Sequence, residues 1–121
     1  MKKWVWAGII ALLLIGGFFI FNSKTASGNY DEFAKCLSVN KVKMYGAFWC
    51  PHCNNQKKEF GNSFKYVDYV ECSLPDQRQN NLCSSLGIKG YPTWGFSNGD
   101  RVEGEVSFNE LSQRTNCTLP S

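Results

Sequence analysis

The chain has 121 residues, with 13 Lys and Arg, 10 Asp and Glu, and a formal net charge of +3. Two of the basic residues, Lys2 and Lys3, precede an uncharged segment, and the rest of the chain is nearly neutral, which argues against a nucleic-acid-binding surface. Six cysteines in so short a chain indicate an oxidising compartment.

The N-terminal segment has the composition of a membrane span. Residues 4–21 contain no charged side chain, and as a helix they would cover roughly 27 Å, close to the hydrocarbon thickness of a bilayer. We expect residues 1–21 to be a single-pass anchor in the cytoplasmic membrane, with the rest of the chain on the exported, periplasmic or lumenal side. A cleaved signal peptide is the alternative, but its apolar core is usually shorter, and Ala26-Ser27-Gly28 is a weak cleavage site.

The anchor is followed by a linker and one domain. Residues 22–28 are mostly small and polar, and even fully extended they reach only about 25 Å from the bilayer. Residues 29–121 suffice for a single domain with one modest core. Such a short tether favours a partner that is itself in the membrane.

The domain is predicted to begin with a helix and a strand. Asn29 and Glu32 form a candidate capping pair, and three residues then share one helical face: Phe33, Cys36 and Leu37. Residues 41–49 alternate between two faces and predict a central strand.

A helix and a second strand are expected next. Pro51 suits the first helical turn, where its missing N–H goes unused, and Gly61 is a typical helix stop. Residues 64–71 are rich in aromatic and β-branched side chains, which predicts a strand.

The last third of the chain predicts a helix, a hairpin and a final helix. The third helix opens at Pro75 and Asp76 and ends before Gly87. Residues 93–96 and 101–106 flank Asn98-Gly99, a dipeptide that tolerates the positive φ angles of a tight turn. Ser107 to Glu110 has the spacing of a capping box.

This order of elements predicts an α/β fold. A strand, a crossover helix and a second strand give a parallel pair, and the terminal hairpin adds antiparallel strands. We expect a mixed sheet with helices on both faces, preceded by one transmembrane helix.

The sequence Cys50-Pro51-His52-Cys53 lies where the first strand meets its helix. A Cys50 thiolate there would be stabilised by unpaired backbone N–H groups, the helix dipole and His52, so Cys50 is predicted to be the attacking sulfur. Cys53, one turn further in, would resolve the mixed disulfide. Half of a zinc site is the rival interpretation, but no second pair of this spacing follows, so we expect no metal.

Three segments carry a resemblance to a known family: residues 43–53 (KMYGAFWCPHC), 70–73 (VECS) and 90–94 (GYPTW). They resemble the thioredoxin fold, and more narrowly the thioredoxin-like domain often fused to bacterial homologues of vitamin K epoxide reductase. The likeness covers about residues 29–115. It implies that Pro92 is cis and packs beside the cysteines, with the backbone of Tyr91 free to pair with a substrate peptide. Trp49 and Tyr91 are either core aromatics or groups at the rim of that site.

The chain departs from these relatives at two points. Ordinary thioredoxins commonly carry a buried acid at the position of Met44, which cannot move protons. The quinone-linked membrane domain of the fused relatives is missing from this sequence, so the resemblance implies a separate membrane oxidoreductase of the vitamin K epoxide reductase type. We expect no cofactor other than the redox disulfide, with quinone acting only through that partner.

The direction of electron flow is predicted from how the reduced pair is stabilised. A helix dipole worth about 1 kcal/mol shifts a two-electron couple by only about 20 mV, so His52 must contribute. Pro51-His52 is similar to the dipeptide of strongly oxidising periplasmic thiol oxidases, which favours a thiol oxidase that acts on exported cysteine-containing proteins. The alternatives are a disulfide reductase for cytochrome maturation or repair, and a non-catalytic binding module.

Four cysteines remain, and they allow three pairings. Cys72 and Cys83 lie at the end of a strand and in the helix that follows, so we expect a structural disulfide between them. A second disulfide between Cys36 and Cys117 is an open option, as are free thiols or an electron relay.

Overall fold

The computed structural model describes residues 29–121. The predicted anchor, residues 1–21, and the linker, residues 22–28, lie outside these described residues, so the anchor and the domain boundary stay predictions. Among residues 29–121, no helix combines the length and the apolar character needed to cross a bilayer.

Four strands form one mixed sheet in the order β2-β1-β3-β4. Strand β1 is parallel to β2 and antiparallel to β3, which is antiparallel to β4. The elements are α1 (Asp31–Val39), β1 (Lys43–Gly46), α2 (Pro51–Phe60), a 3-10 helix (Gly61–Tyr66), β2 (Asp68–Glu71), α3 (Asn81–Ser85), β3 (Thr93–Gly95), β4 (Arg101–Glu103) and α4 (Phe108–Thr115). The predicted mixed sheet is confirmed, and it is consistent with a thioredoxin-like α/β fold.

Helix α2 is the crossover between the two parallel strands. Pro51 is its first residue, where no backbone donor is needed, and Gly61 follows its last residue with φ +57°. Both predicted ends of this helix are confirmed. The chain therefore turns sharply at the carboxyl end of β1 and presents Cys50 as the capping residue of α2.

The two faces of the sheet carry separate apolar clusters. The larger cluster joins Met44 of β1 and Trp94 of β3 to buried side chains of three helices, among them Phe33 of α1, Phe60 of α2 and Leu111 of α4. The smaller cluster lies on the other face and holds Cys72, Cys83 and Ile88, with Tyr45 and Val70 packed against it. Helices α1, α2 and α4 thus cover one face, and the short α3 lies on the other.

All four strands are shorter than predicted, and the difference is large for β1 and β2. The strand predicted over residues 41–49 ends at Gly46, because a hydrogen bond from Cys50 N–H to the Ala47 carbonyl oxygen closes a turn that leaves Phe48 48% exposed. In the strand predicted over residues 64–71, only Asp68–Glu71 is extended. Phe64 belongs to the 3-10 helix because its ring packs against Phe60 and Tyr69, and this tertiary packing outweighs local β propensity.

Two predicted helix starts are wrong. Tyr30, not Asn29, precedes α1, and its N–H is satisfied by the Ser63 hydroxyl from a distant part of the chain. Helix α3 begins at Asn81, not at Pro75, because Asn80 supplies the side-chain cap by accepting from the Cys83 N–H. Asp76 instead accepts from the backbone N–H of Arg78 within the preceding loop.

The strand predicted over residues 101–106 ends at Glu103, because Gly104 has φ +95° and the Val106 backbone bonds to the Gln56 side chain. The strand predicted over residues 93–96 ends at Gly95.

The position of the hairpin turn and the last helix agree with prediction. Strands β3 and β4 flank Asn98-Gly99, and Gly99 has φ +91°. The Ser107 hydroxyl accepts from the Glu110 N–H at 3.2 Å and caps α4. In a complete capping box the Glu110 carboxylate would also accept from the Ser107 N–H. Here that carboxylate instead forms an ion pair with Arg114, whose Nε lies 3.1 Å away.

Candidate active site

Cys50 and Cys53 are free thiols at the N-terminal end of α2. The Cys53 backbone N–H donates to Cys50 Sγ at 3.3 Å, and the Cys50 thiol lies 3.6 Å from the Tyr91 carbonyl oxygen. The Cys53 N–H can therefore stabilise a thiolate on Cys50, as expected for a cysteine at the N-terminus of a helix.

The pair is less exposed than the sequence predicted. Cys50 is 5% exposed and Cys53 is fully buried, because Cys50 lies against the Tyr91 backbone and Cys53 belongs to the larger core cluster. Cys50 is still the more accessible sulfur. The assignment of Cys50 as attacker and Cys53 as resolver stays a prediction.

The second thiol is held in its protonated form. Burial raises the pKa of Cys53 to about 12, a hydrogen bond with Cys50 adds to the effect, and the Lys57 ammonium partly offsets it. At neutral pH Cys53 therefore carries its proton. Any reaction in which its sulfur attacks must also remove that proton.

His52 does not act alone beside the cysteines. Its side chain is 69% exposed, and Nδ1 lies 2.8 Å from Oε2 of Glu105, in the segment between β4 and α4. No motif in the sequence pointed to Glu105, because it is 53 positions away and only the return of the chain after the hairpin brings it to α2. Its carboxylate opposes the positive charge that a protonated His52 would place near Cys50.

We expect Glu105→Gln to raise the reduction potential of the Cys50/Cys53 pair. Removing the negative charge leaves a more positive environment around the Cys50 thiolate and stabilises the reduced form. Since His52 is mostly exposed, the increase should be only about 10–20 mV at low ionic strength and smaller in high salt. Equilibration with glutathione measures it.

Glu103→Gln is the matched control for this measurement. Glu103 is exposed on β4, two residues before Glu105, and its substitution removes the same charge without touching His52. A lower potential in Glu105→Gln, or an equal rise in both variants, would refute a specific effect of the His52–Glu105 pair.

Pro92 and two aromatic side chains border the pair. The Tyr91–Pro92 peptide bond is cis, and Pro92 is fully buried. Trp49 is 39% exposed, meets the Tyr91 ring edge-on at 5.9 Å, and donates from Nε1 to Ser73 Oγ at 2.8 Å. Trp49 is thus a rim group with a held orientation, and Tyr91 is half-buried beside it.

Gln56 connects α2 to the segment that carries Glu105. It is fully buried, and its side chain exchanges hydrogen bonds with both the N–H and the carbonyl of Val106, while Trp94 Nε1 donates to it at 3.1 Å. The sequence did not indicate that Gln56 is a buried hydrogen-bonding residue, because its neighbours in the helix are polar. Gln56 thus fixes Val106, the residue after Glu105, to helix α2.

The other four cysteines form two disulfides, Cys72–Cys83 and Cys36–Cys117. The first joins the chain just after β2 to α3, is fully buried, and belongs to the smaller apolar cluster. The second joins α1 to the tail after α4. These are the two pairs named from the sequence, and both are closed in the structure.

Comparisons with known proteins add to this geometry. Over 103 residues, 80% of its length, the chain is 40% identical to the thiol-disulfide oxidoreductase LTO1 of Arabidopsis thaliana. It is 33% identical over 89 residues, 65% of its length, to a Schistosoma mansoni protein named as the protein disulfide-isomerase ER-60. A Schizosaccharomyces pombe protein, also named as a protein disulfide-isomerase, is 29% identical over 97 residues, 75% of the chain.

The matched segments are small parts of these relatives. They cover 27% of the Arabidopsis protein, 20% of the yeast protein and 17% of the Schistosoma protein. No protein-family model matches the chain. The names of the relatives and the geometry of the cysteines together support a thioredoxin-like oxidoreductase.

Proposed function

We propose that this chain is a protein thiol-disulfide oxidoreductase that oxidises the thiols of exported proteins through Cys50 and Cys53. The observation that carries the proposal is the placement of two free thiols at the start of α2, with Cys50 3.6 Å from the Tyr91 carbonyl beside the cis bond to Pro92. An extended substrate segment that pairs with the Tyr91 backbone would bring its sulfur to Cys50. The similarity to proteins named for thiol-disulfide exchange supports the same reaction.

The reaction consists of two exchange steps. A substrate thiolate attacks Cys50 Sγ of the oxidised pair, the Cys50–Cys53 bond breaks, and Cys53 leaves as a thiolate that takes up a proton. A second substrate thiolate then attacks the substrate sulfur of the mixed disulfide, and Cys50 leaves. The substrate gains a disulfide and gives up two electrons and two protons: both electrons reduce the enzyme pair, one proton goes to Cys53, and the other goes to the departing Cys50 sulfur or to solvent.

Reoxidation needs an electron acceptor outside this domain. We propose a membrane oxidoreductase of the vitamin K epoxide reductase type, which passes the electrons to quinone. The support is the resemblance of residues 43–53, 70–73 and 90–94 to domains found with such enzymes. The uncharged residues 4–21 support a membrane anchor, and the six cysteines support an exported, periplasmic or lumenal domain.

One observation favours a second candidate, a disulfide reductase or isomerase. Glu105 lies 2.8 Å from His52 and offsets the charge that would make the pair strongly oxidising. Two of the relatives are named as isomerases. The reduction potential separates the candidates, since a value near thioredoxin's, about −270 mV, would rule out the oxidase.

Cys53→Ala is the direct test of the shared chemistry. Without a resolving sulfur, Cys50 should hold its substrate as a mixed disulfide that is visible on a non-reducing gel and lost on reduction. The full chain should be expressed in cells with its N-terminal segment, and the trapped proteins should be identified.

Cys50→Ala/Cys53→Ala is the matched control. It keeps the Tyr91–Pro92 segment but has no attacking sulfur, so it should trap nothing. Capture that is equal in both variants and survives reduction would show a non-catalytic binding module and overturn the proposal.

A further inference from the structure

The buried thiol of Cys53 lacks an obvious proton acceptor. It is fully buried, and burial raises its pKa to about 12. Met44, which stands where ordinary thioredoxins commonly have an acid, is also fully buried and offers no group that can accept a proton. The proton of Cys53 therefore cannot pass to the residue at position 44.

Gly46 brings a second side chain to Cys53. A methyl group at Gly46 would lie 3.0 Å from Cys53 Sγ and 3.2 Å from Tyr69 Oη, and only 2.9 Å from Cε2 of the same ring. The thiol and the phenol ring thus both pack against the Gly46 backbone, at a position where any larger residue would be too close to them. The 3.0 Å and 3.2 Å distances place Cys53 Sγ and Tyr69 Oη no more than about 6 Å apart, a separation that one water can bridge.

The Tyr69 hydroxyl is hydrogen-bonded to the Glu71 carboxylate. Tyr69 Oη donates to Oε1 of Glu71 at 3.2 Å. The other oxygen, Oε2, accepts from the backbone N–H of Phe48 at 3.2 Å and from that of Ser73 at 3.1 Å. The three hydrogen bonds fix the position of the Glu71 carboxylate beside the Tyr69 hydroxyl.

The remaining charged group in this region cannot be the acceptor. The Lys57 ammonium, on α2 one turn beyond Cys53, lies 4.1 Å above the Tyr69 ring. It has only donors, and its positive charge favours negative charge on the sulfur or the phenol below it. Around Cys53 and Tyr69 the titratable and charged groups are thus Cys50, Lys57 and Glu71.

We propose that Tyr69 and Glu71 form the proton relay of Cys53, which rests on the proposed exchange function. When Cys53 attacks Cys50 Sγ in a mixed disulfide, its S–H bond breaks, the thiol proton passes to a bridging water, and that water gives a proton to Tyr69 Oη. The Tyr69 proton moves at the same time to Glu71 Oε1, and the substrate sulfur leaves with the electron pair of the broken disulfide. In substrate oxidation the relay runs in reverse and returns a proton to the departing Cys53 thiolate.

The high pKa of Tyr69 fits a concerted relay. Burial raises that pKa, and the charges of Glu71 and the two cysteines raise it further. A free phenolate is therefore not an intermediate. The phenol can accept a proton only while it gives its own to Glu71.

Tyr69→Phe tests the relay because it removes the hydroxyl and keeps the ring. A mixed disulfide of Cys50 with a small aromatic thiol releases a coloured product when Cys53 resolves it, so the rate can be followed by stopped flow. We expect this rate to fall about a hundredfold at pH 7, the usual contribution of a positioned proton acceptor. The deficit should shrink as pH rises and hydroxide replaces the relay.

Two further variants locate the effect. Glu71→Gln should give a similar loss, although its side-chain oxygen can still accept from Phe48 and Ser73. Tyr45→Phe is the matched control, because Tyr45 packs against the cluster on the other face of the sheet. It should resolve the mixed disulfide at the wild-type rate.

The capture step separates the possible outcomes. Attack of Cys50 on a model disulfide does not use Cys53, so Tyr69→Phe should leave its rate unchanged. Equal slowing of capture and resolution would show a structural role, and a wild-type rate and pH profile of resolution in Tyr69→Phe would also overturn the relay. A wild-type chain that captures no disulfide at all would instead refute the exchange function on which the relay rests.

Discussion

Cys50→Ser is expected to lower the rate of thiol-disulfide exchange by about a thousandfold or more. A serine hydroxyl stays protonated at neutral pH and cannot form the mixed disulfide, so the reaction loses its covalent step. Oxidation of a peptide with two cysteines, followed at equal enzyme concentrations, measures the loss. The wild-type chain supplies the reference rate.

The folded structure should tolerate this substitution. Cys50 caps α2 by accepting from the Cys53 N–H, and a serine hydroxyl is among the preferred acceptors at that position. We expect the free energy of unfolding to change by less than about 1 kcal/mol. Full activity in Cys50→Ser would show that another sulfur reacts, and a large loss of stability would prevent a chemical interpretation.

Removal of the Cys36–Cys117 disulfide is expected to have the largest effect on stability. The bridge spans 81 positions, and in the chain-entropy account a closed loop of this length lowers the free energy of the folded state relative to the unfolded chain by about 4.5 kcal/mol. It also ties α1 to the tail after α4, where Asn40 Nδ2 donates to both sulfurs. Urea unfolding of Cys36→Ala/Cys117→Ala under non-reducing conditions gives the difference.

The other disulfide is the internal comparison. Cys72–Cys83 spans 11 positions, for which the same account gives about 3 kcal/mol. If chain entropy dominates, the Cys72→Ala/Cys83→Ala variant loses less stability. A greater loss in that variant would show that packing on its face of the sheet outweighs loop length.

The sequence was most informative where one local pattern decides the structure. Pro51 and Gly61 mark both ends of α2, Asn98-Gly99 marks the hairpin, and Ser107 caps α4. In each case the preferred backbone angles or a hydrogen bond a few residues away settles the conformation. The prediction is then independent of the rest of the fold.

The sequence was misleading where distant residues compete with local preference. Phe64 has strong β propensity but packs in a 3-10 helix against Phe60. At the start of α1, the Tyr30 N–H donates to the Ser63 hydroxyl, which is 33 positions away in the sequence. A local pattern carries no information on such partners, because the energy comes from groups that only the folded chain brings together.

The same division holds for the candidate site. The sequence by itself determined the redox pair and its place at the start of α2, because spacing and local backbone preferences define them, whereas the pairing Cys36–Cys117 was left open and is shown by the tertiary structure. Only the tertiary structure decided what surrounds the pair: Glu105 beside His52, Gln56 beneath the segment that carries Glu105, and Tyr69 and Glu71 behind Cys53. These contacts arise because the sheet aligns β1 with β2 and the hairpin returns the chain to α2, so residues far apart in sequence share the charge and the protons of one thiol pair.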